Sequence, residues 1–305
     1  MTPPKVLVAT LTWNQRSDTV ECLASLQKMR YPNFEILVVD NASQDGTVGA
    51  VRSQYPQAEV LVNDRNVGSA EGMNCAIRRL LAGDARFLFL IGNDSIVDPD
   101  ILKELVDVAE TDGRIGIVCP KVYYYDRPNV IWFGRGANIH WRTGTFTGYV
   151  QNVTDDGSHD ADQDFDNFPG WFTFVRREAL AKPNFLDPDY FIHFDDSEWY
   201  LKIKRDGWRF AYAPKAKAWH KPSSSLGIGS PAFYYYRIRN RLRFMRRNAR
   251  VRDWFYFVPF FCYEYLVRIV YPLVRSGKWP QLSATGRGLL DFFRGRGGPW
   301  KAPSQ

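Results

Sequence analysis

The segment that most constrains the fold is residues 87–98, FLFLIGNDSIVD, where an unbroken apolar run passes into Gly92-Asn93-Asp94-Ser95. Apolar positions without alternation predict a strand buried on both faces of a parallel sheet, with the Gly-Asn-Asp at its carboxyl end. Open α/β sheets bind ligands at that edge, and a carboxylate placed there can hold a hard divalent cation. The same pattern recurs upstream. Residues 6–11, 34–40 and 59–62 read as strands, and each hands over to a polar turn and then to a helix, over 17–28, 47–54 and 69–81. A further helix is expected to about residue 110. Strand and helix alternating at this spacing predict an α/β fold with a mostly parallel sheet and right-handed crossovers. The polar residues at successive strand ends, Asn14, Asp40, Asn66 and Asp94, then gather along one edge as a nucleotide pocket. No Gly-x-Gly-x-x-Gly or Walker loop is present, which argues against dinucleotide and P-loop chemistry.

Further along, residues 117–118, 122–125, 130–133 and 139–141 have the content of an added strand layer, and 148–166 read as an acidic loop. Strand character returns at 172–175. Asp195 and Asp196 precede a helix expected over 197–205, where the helix dipole favours carboxylates and a capping role accounts for them. Their clustering with Glu198 among Tyr190, Phe194 and Trp199 suits instead a sugar-binding cleft containing an acid or base. His220 pairs with Asp94 as a candidate second metal ligand.

The formal net charge of +7 is concentrated in the last quarter, where residues 237–252 contain eight arginines and no acid. Such a basic stretch points to an anionic partner. Residues 223–231 read as a loop able to fold over a bound donor as a lid. Residues 254–274 are apolar and aromatic, but Glu264, Arg268 and two prolines interrupt them, short of the roughly 20 apolar residues that span a bilayer. They are expected to lie in a membrane interface, with arginines toward anionic head groups. The competing reading is a pair of core helices or a homo-oligomer interface. Nucleic acid is not the expected partner, because a lipid-linked acceptor accounts for the same arginines. Residues 286–296 add a short basic amphipathic piece, and 299–305 are expected to fray. Four cysteines without a Cys-x-x-Cys pair, and no apolar stretch of signal-peptide length in residues 1–8, lead to the expectation of a cytoplasmic protein.

Taken in order, Leu11-Thr12-Trp13-Asn14, Val38-Val39-Asp40-Asn41-Ala42-Ser43, Asn66-Val67-Gly68 with Asn74, Asn93-Asp94-Ser95, Gly170 before a strand, Phe194-Asp195-Asp196-Ser197-Glu198 and Gly207-Trp208 leading to His220 resemble the inverting glycosyltransferases of family 2. The resemblance covers about residues 5–220 and implies the GT-A fold; the tail resembles the rhamnosyltransferase subgroup. It implies that Leu11, Asn14 and Asp40 line the base and ribose, and that Asn66 and Asn93 lie nearer the ribose and diphosphate. Asp94 would bind a divalent cation, Mn2+ or Mg2+, with His220 completing the site. Asp196 would be the general base, and Gly170, Trp171, Asp195 and Trp199 would face the acceptor. Two positions depart from the family pattern: Gly92 stands where an Asp or Asn is usual, and Asp195 where Glu is more common.

The implied organisation is a GT-A catalytic domain over residues 1–222, with a nucleotide half to about 115 and an acceptor half from about 116. Residues 223–305 would form a lid and amphipathic helices. The implied activity moves a sugar from a UDP- or dTDP-sugar to a hydroxyl of a glycan or lipid-linked acceptor in cell-surface polysaccharide synthesis, at the inner face of the membrane. Gly92 favours an alternative, a catalytically impaired GT-A module serving as a nucleotide-sugar-binding or membrane scaffold.

Overall fold

A computed structural model describes residues 2–161, 164–168, 170–182, 184–221, 227 and 229–301. Four strands, β1 (Val6–Thr12), β2 (Phe34–Asp40), β3 (Glu59–Val62) and β4 (Phe87–Gly92), pair in parallel in the order β3-β2-β1-β4. Val6, Val8, Leu37, Val38, Leu88 and Phe89 have no exposed surface, as expected of strands covered on both faces. The crossovers are helices α1 (Arg16–Leu26), α2 (Thr47–Gln54) and α3 (Gly68–Ala82). Because all four strands run the same way, their polar ends share one edge. Strand β5 (Ser95–Val97) and helix α4 (Ile101–Glu110) follow.

The second half extends the same sheet in mixed directions. Its strands are β6 (Ile115–Tyr124), β7 (Val130–Phe133), β8 (Asn138–His140), β9 (Thr145–Thr147), β10 (Val153–Thr154), β11 (Phe172–Arg176) and β12 (Arg209–His220), with helix α5 (Asp195–Arg205) before β12. Strand β11 lies antiparallel between β4 and β6, and β12 runs parallel to β6. The expected separate strand layer is therefore corrected: β6 and β7 belong to the main sheet, and only the β8–β9 hairpin stands apart. Pro120 does not split β6, because β12 bulges opposite it between Ala213 and Lys217 and asks for no ladder donor there. The end of β12 stays paired with β6 on one side and pairs antiparallel with β5 on the other, which sets His220 opposite Ser95. In the acidic loop, buried Lys121 holds Asp155 at 2.9 Å and also contacts Asp160.

Helix α6 (Pro231–Asn248) starts at a Ser230 cap, whose Oγ accepts from the Phe233 amide at 3.2 Å, with Pro231 in the first turn. Then come α7 (Val251–Tyr263), a π-helical turn over Glu264–Val270, α8 (Tyr271–Arg275) and α9 (Trp279–Phe293). Three expectations for this region are corrected. Helix α7, the π turn and α8 form one continuous helix of 25 residues, Val251–Arg275, long and apolar enough by length and composition to cross a membrane. Pro259 and Glu264 do not break it; past Pro259, which lacks an N–H, the ladder widens to π spacing. The arginines of α6 do not all face outward: Arg239, Arg241 and Arg243 are buried and bonded inside the protein. The segment at 299–301 is docked, with the Trp300 ring stacked on Tyr235 at 5.3 Å and its amide donating to Tyr236 Oη at 2.7 Å. The expected lid falls largely outside the described residues.

Candidate functional site

A cavity of about 880 Å³ opens at the carboxyl edge of the parallel strands, large enough for a nucleotide sugar with part of an acceptor. One wall comes from the strand ends. Leu11, Asn66, Asn93 and Asp94 line it, joined by Trp13, Gln15 and Asn41. Asn93 Nδ2 donates to Gln15 Oε1 and Thr19 Oγ1 at 3.1 Å each, so its amide is fixed by α1. Asn66 Oδ1 accepts from the Gly68 amide at 2.9 Å and shapes the turn into α3.

Asp40 and Asn14 take other places. Asp40 is fully buried and is not in the lining; its Oδ1 accepts from the Ser43 amide at 2.8 Å, while Oδ2 is buried without a partner. An orphaned carboxylate oxygen at a strand end is costly unless a ligand donor reaches it. Asn14 has φ of 52° and its Oδ1 accepts from the Gln44 amide at 2.7 Å. That bond staples the turn after β1 to the turn after β2, so Trp13 and Gln15 reach the cavity and Asn14 does not.

Asp94 and His220 meet because of the β5–β12 register: His220 Nε2 lies 3.3 Å from Asp94 Oδ2, both mostly buried and both lining the cavity. The His220 ring is packed against Trp132, centroids 4.3 Å apart, and its Nδ1 is buried without a partner among the described residues. No group of three or more His, Cys, Asp or Glu able to hold a metal occurs among the described residues. The Asp94 carboxylate fits a divalent cation that completes its shell with phosphates and water, and the imidazole nitrogen beside it favours a transition metal such as Mn2+ over Mg2+. A Cβ on Gly92 would stand 2.8 Å from Asp94 Oδ1, so glycine here leaves the carboxylate room to turn toward His220.

The facing wall is built by the segment leading into α5. Phe191, His193 and Phe194 all have φ of 65°, a left-handed conformation that costs bulky residues roughly 1–3 kcal/mol each. Several bonds hold it. Asn240 Nδ2 on α6 donates to the carbonyls of Tyr190, Ile192 and His193 at 2.9, 2.6 and 3.0 Å. Arg239 Nη2 donates to Asp189 and Tyr190 carbonyls at 3.0 and 2.9 Å. From α3, the Ser69 amide donates to the Phe191 carbonyl at 2.7 Å. Gly68, with φ of 84°, permits that approach, since a Cβ there would lie 2.4 Å from the Phe191 oxygen.

This segment delivers Asp195 and Asp196 to the cavity at the start of α5. Asp195 Oδ2 accepts from Ser69 Oγ at 2.7 Å, and burial raises its pKa. Asp196 Oδ1 accepts from the Ser197 amide and hydroxyl at 2.7 and 3.2 Å; Oδ2 has no hydrogen-bond partner among the described residues. Burial, and then the adjacent Asp195 charge, push Asp196 up to about 7. A carboxylate so poised with one open oxygen is suited to take a proton near neutral pH.

Gly170 and Trp171 line the same cavity, while Trp199 does not: it is wholly buried, with its indole Nε1 donating to the Asn184 carbonyl at 2.7 Å. The expected acceptor role for Trp199 is corrected for that reason. The lining also includes His193, Arg237, Arg241 and Trp300, none of which the sequence reading assigned to the site. The arginine spacing on α6 is the available signal, and by itself it equally fits a helix with its basic face outward.

Comparison with known proteins agrees with this architecture. The family model described as "Glycosyltransferase like family 2" matches residues 3–244. The chain is 26% identical over 244 residues to an N-acetylglucosaminyl-diphospho-decaprenol L-rhamnosyltransferase of Mycobacterium tuberculosis, covering 72% of this chain and 77% of the relative. It is 24% identical over 251 residues to the dTDP-rhamnosyl transferase RfbF of Shigella flexneri, covering 78% and 79%. The fold is similar to that of Staphylococcus aureus TarS residues 1–349 in complex with UDP-GlcNAc, with a TM-score of 0.59 at 14% identity, covering 95% of this chain and 81% of that one. It is also similar to the mannosyltransferase PcManGT of Pyrobaculum calidifontis in complex with GDP-Man and Mn2+, with a TM-score of 0.56 at 20% identity, covering 95% and 75%. With four-fifths of its length matched by that model and a sheet edge built as in GT-A enzymes, this chain belongs to glycosyltransferase family 2.

Proposed function

We propose that this protein is an inverting glycosyltransferase that moves a sugar, in the manner of a rhamnosyltransferase, from a UDP- or dTDP-sugar to a hydroxyl of a lipid-linked glycan in cell-surface polysaccharide synthesis. One observation carries the reading: Asp94 with His220 and the raised carboxylate of Asp196 line one cavity. Residues 1–115 take the nucleotide, 116–222 the acceptor, and 223–305 cover the site and contact the membrane from the cytoplasmic side. Leu11, Asn66 and Asn93 border the nucleoside.

A divalent cation held by Asp94 and His220, Mn2+ or Mg2+, would neutralise charge on the departing nucleoside diphosphate. Asp196 Oδ2 takes the proton of the acceptor hydroxyl as its oxygen bonds to the anomeric carbon and the bond to the donor phosphate oxygen breaks. A single displacement inverts that carbon, and no second carboxylate nucleophile is needed, in contrast to retaining hydrolases. Asp195, bonded to Ser69, fixes the first turn of α5 and so the position of Asp196.

The test is transfer from dTDP- and UDP-sugars to lipid-linked acceptors with the anomeric configuration of the product read by NMR. Inverted product, lost in Asp196→Asn, is the expected result; retention of configuration would overturn the mechanism. The scaffold reading draws on the small set of candidate metal ligands beside Gly92, and donor binding without turnover on any acceptor would favour it.

A further inference from the structure

The rim of the cavity formed by α6, the β8–β9 hairpin and the strained segment before α5 carries more positive charge than the fold requires. Arg237 is 48% exposed, its guanidinium lies 5.8 Å from the Phe233 ring, and its nearest acid is Glu264 at 3.9 Å. Arg241 is buried; it contacts that same Glu264 and donates to the Thr143 carbonyl. One carboxylate thus serves two guanidinium groups, which leaves a net positive charge at the cavity wall. Two nitrogens there are buried and unpartnered, Arg241 Nε and His193 Nε2, and both residues line the cavity. A buried guanidinium N–H without an acceptor is rare in folded proteins and is satisfied only by an oxygen or an anion; burial and then Arg237 keep the His193 ring neutral, so its Nε2 donates to the same oxygen when the hydrogen sits on that nitrogen.

The other side of this rim is apolar. Arg241 lies over the rings of Phe257, Phe260 and Phe261 at 5.6, 5.9 and 5.8 Å. On the outer face of the same helix, Phe255 is 76% exposed and Tyr263, Leu266 and Tyr271 are open as well. A charge-bearing pocket and an exposed apolar surface are therefore separated by the width of one helix, about 10 Å.

We propose that Arg237, Arg241 and His193 form a subsite for the phosphate or diphosphate that joins the acceptor's sugar to a long apolar chain, whose hydrocarbon runs out over the face of Val251–Arg275. The proposal rests on the transferase reading and adds the residues that recognise the acceptor. It places the acceptor's anionic group at α6, whereas the donor's diphosphate belongs with Asp94 and His220. Arg237, being half-exposed, can be replaced without opening the buried Arg241–Glu264 pair, whose disruption would destabilise the fold.

The experiment measures binding of farnesyl diphosphate, farnesol, inorganic diphosphate and dTDP to the full chain by calorimetry, for the wild type, Arg237→Gln, Arg237→Lys and His193→Gln. Farnesyl diphosphate is expected to bind more tightly than either farnesol or inorganic diphosphate, and Arg237→Gln to weaken it by about tenfold or more. Arg237→Lys should fall between, because lysine keeps the charge and loses the fork of donors. Equal binding of farnesol, equal binding of inorganic diphosphate, or no effect of Arg237→Gln would overturn the subsite. So would a loss of dTDP affinity matching the loss of farnesyl diphosphate, which would assign Arg237 to the donor. If the wild type bound no nucleotide while Arg237-dependent binding of farnesyl diphosphate persisted, the transferase reading would fall and the subsite would stand.

Discussion

The sheet edge and helix α6 both bring charged groups to the same cavity, by different means. At the sheet edge the positions follow from strand direction alone: parallel strands end together, so Leu11, Asn66, Asn93 and Asp94 converge without any of them binding another. On α6 the charged residues reach inward through bonds. Arg239 and Asn240 hold backbone carbonyls of residues 189–193, and Arg241 is balanced by Glu264. The sheet supplies a platform at the cavity, where the proposed donor would sit, and α6 supplies the clamp that keeps Asp195 and Asp196 facing it. Removing a residue from the platform should cost chemistry; removing one from the clamp should cost chemistry and stability together.

The largest effect is expected at Asp196, the proposed base on the wall that the clamp holds. Asp196→Asn should lower kcat by about 10²–10⁴-fold with little change in donor affinity. The same variant should be more stable at pH 8, read as a higher Tm. Asp196 has a folded pKa raised to about 7, so ionising it in the folded protein is unfavourable; wild-type stability falls as pH rises from the ordinary carboxylate range through about 7, and asparagine removes that penalty. An undiminished rate would break the assignment.

Next comes the clamp itself. Asn240→Ala leaves the Ile192 and His193 carbonyls without their side-chain donor, while the Tyr190 carbonyl keeps Arg239, and should destabilise the protein by about 2–4 kcal/mol while also lowering kcat. Unfolding in urea beside steady-state kinetics would separate the two; a loss of stability with an intact kcat would show that the segment before α5 needs no clamp.

On the platform side, His220→Ala should raise the Mn2+ concentration needed for half-maximal transfer by about 10–100-fold, and EDTA should suppress transfer reversibly. A rate indifferent to EDTA would remove the cation from the mechanism. The pH profile sharpens the same contrast: kcat/KM should rise with pH through about 7 as Asp196 loses its proton, and Asp196→Asn should abolish that limb.

The smallest effect on the fold belongs to the outer face of Val251–Arg275. Phe255→Ser with Tyr263→Ser should leave stability within about 0.5 kcal/mol, because both side chains are exposed, yet reduce flotation with anionic vesicles. Unchanged flotation would move the membrane contact elsewhere.

Much of the platform was legible beforehand. Residues 6–9, 36–39 and 87–91 are unbroken apolar runs that suit a doubly covered strand, and the polar turn after each strand must lie at the sheet edge. The meeting of Asp94 with His220 was expected from resemblance, but its cause was not visible: it depends on the end of β12 lying between β6 and β5, a contact with β5 between residues more than a hundred positions apart. Trp199 shows the opposite case, since an aromatic beside two acids looks the same whether it faces a cleft or the core.

The sequence by itself determined the parallel sheet, the edge where the cavity opens and the acidic pair at the start of α5, because strand burial and helix spacing are local patterns written in consecutive residues. Only the tertiary structure decided which way the α6 arginines face, that Phe191, His193 and Phe194 are held in a left-handed conformation, and that Trp300 lines the cavity. Each of these is fixed by partners distant in the chain, and a guanidinium is stable in water or over a row of carbonyls alike, so its neighbours in sequence carry no sign of which it will find.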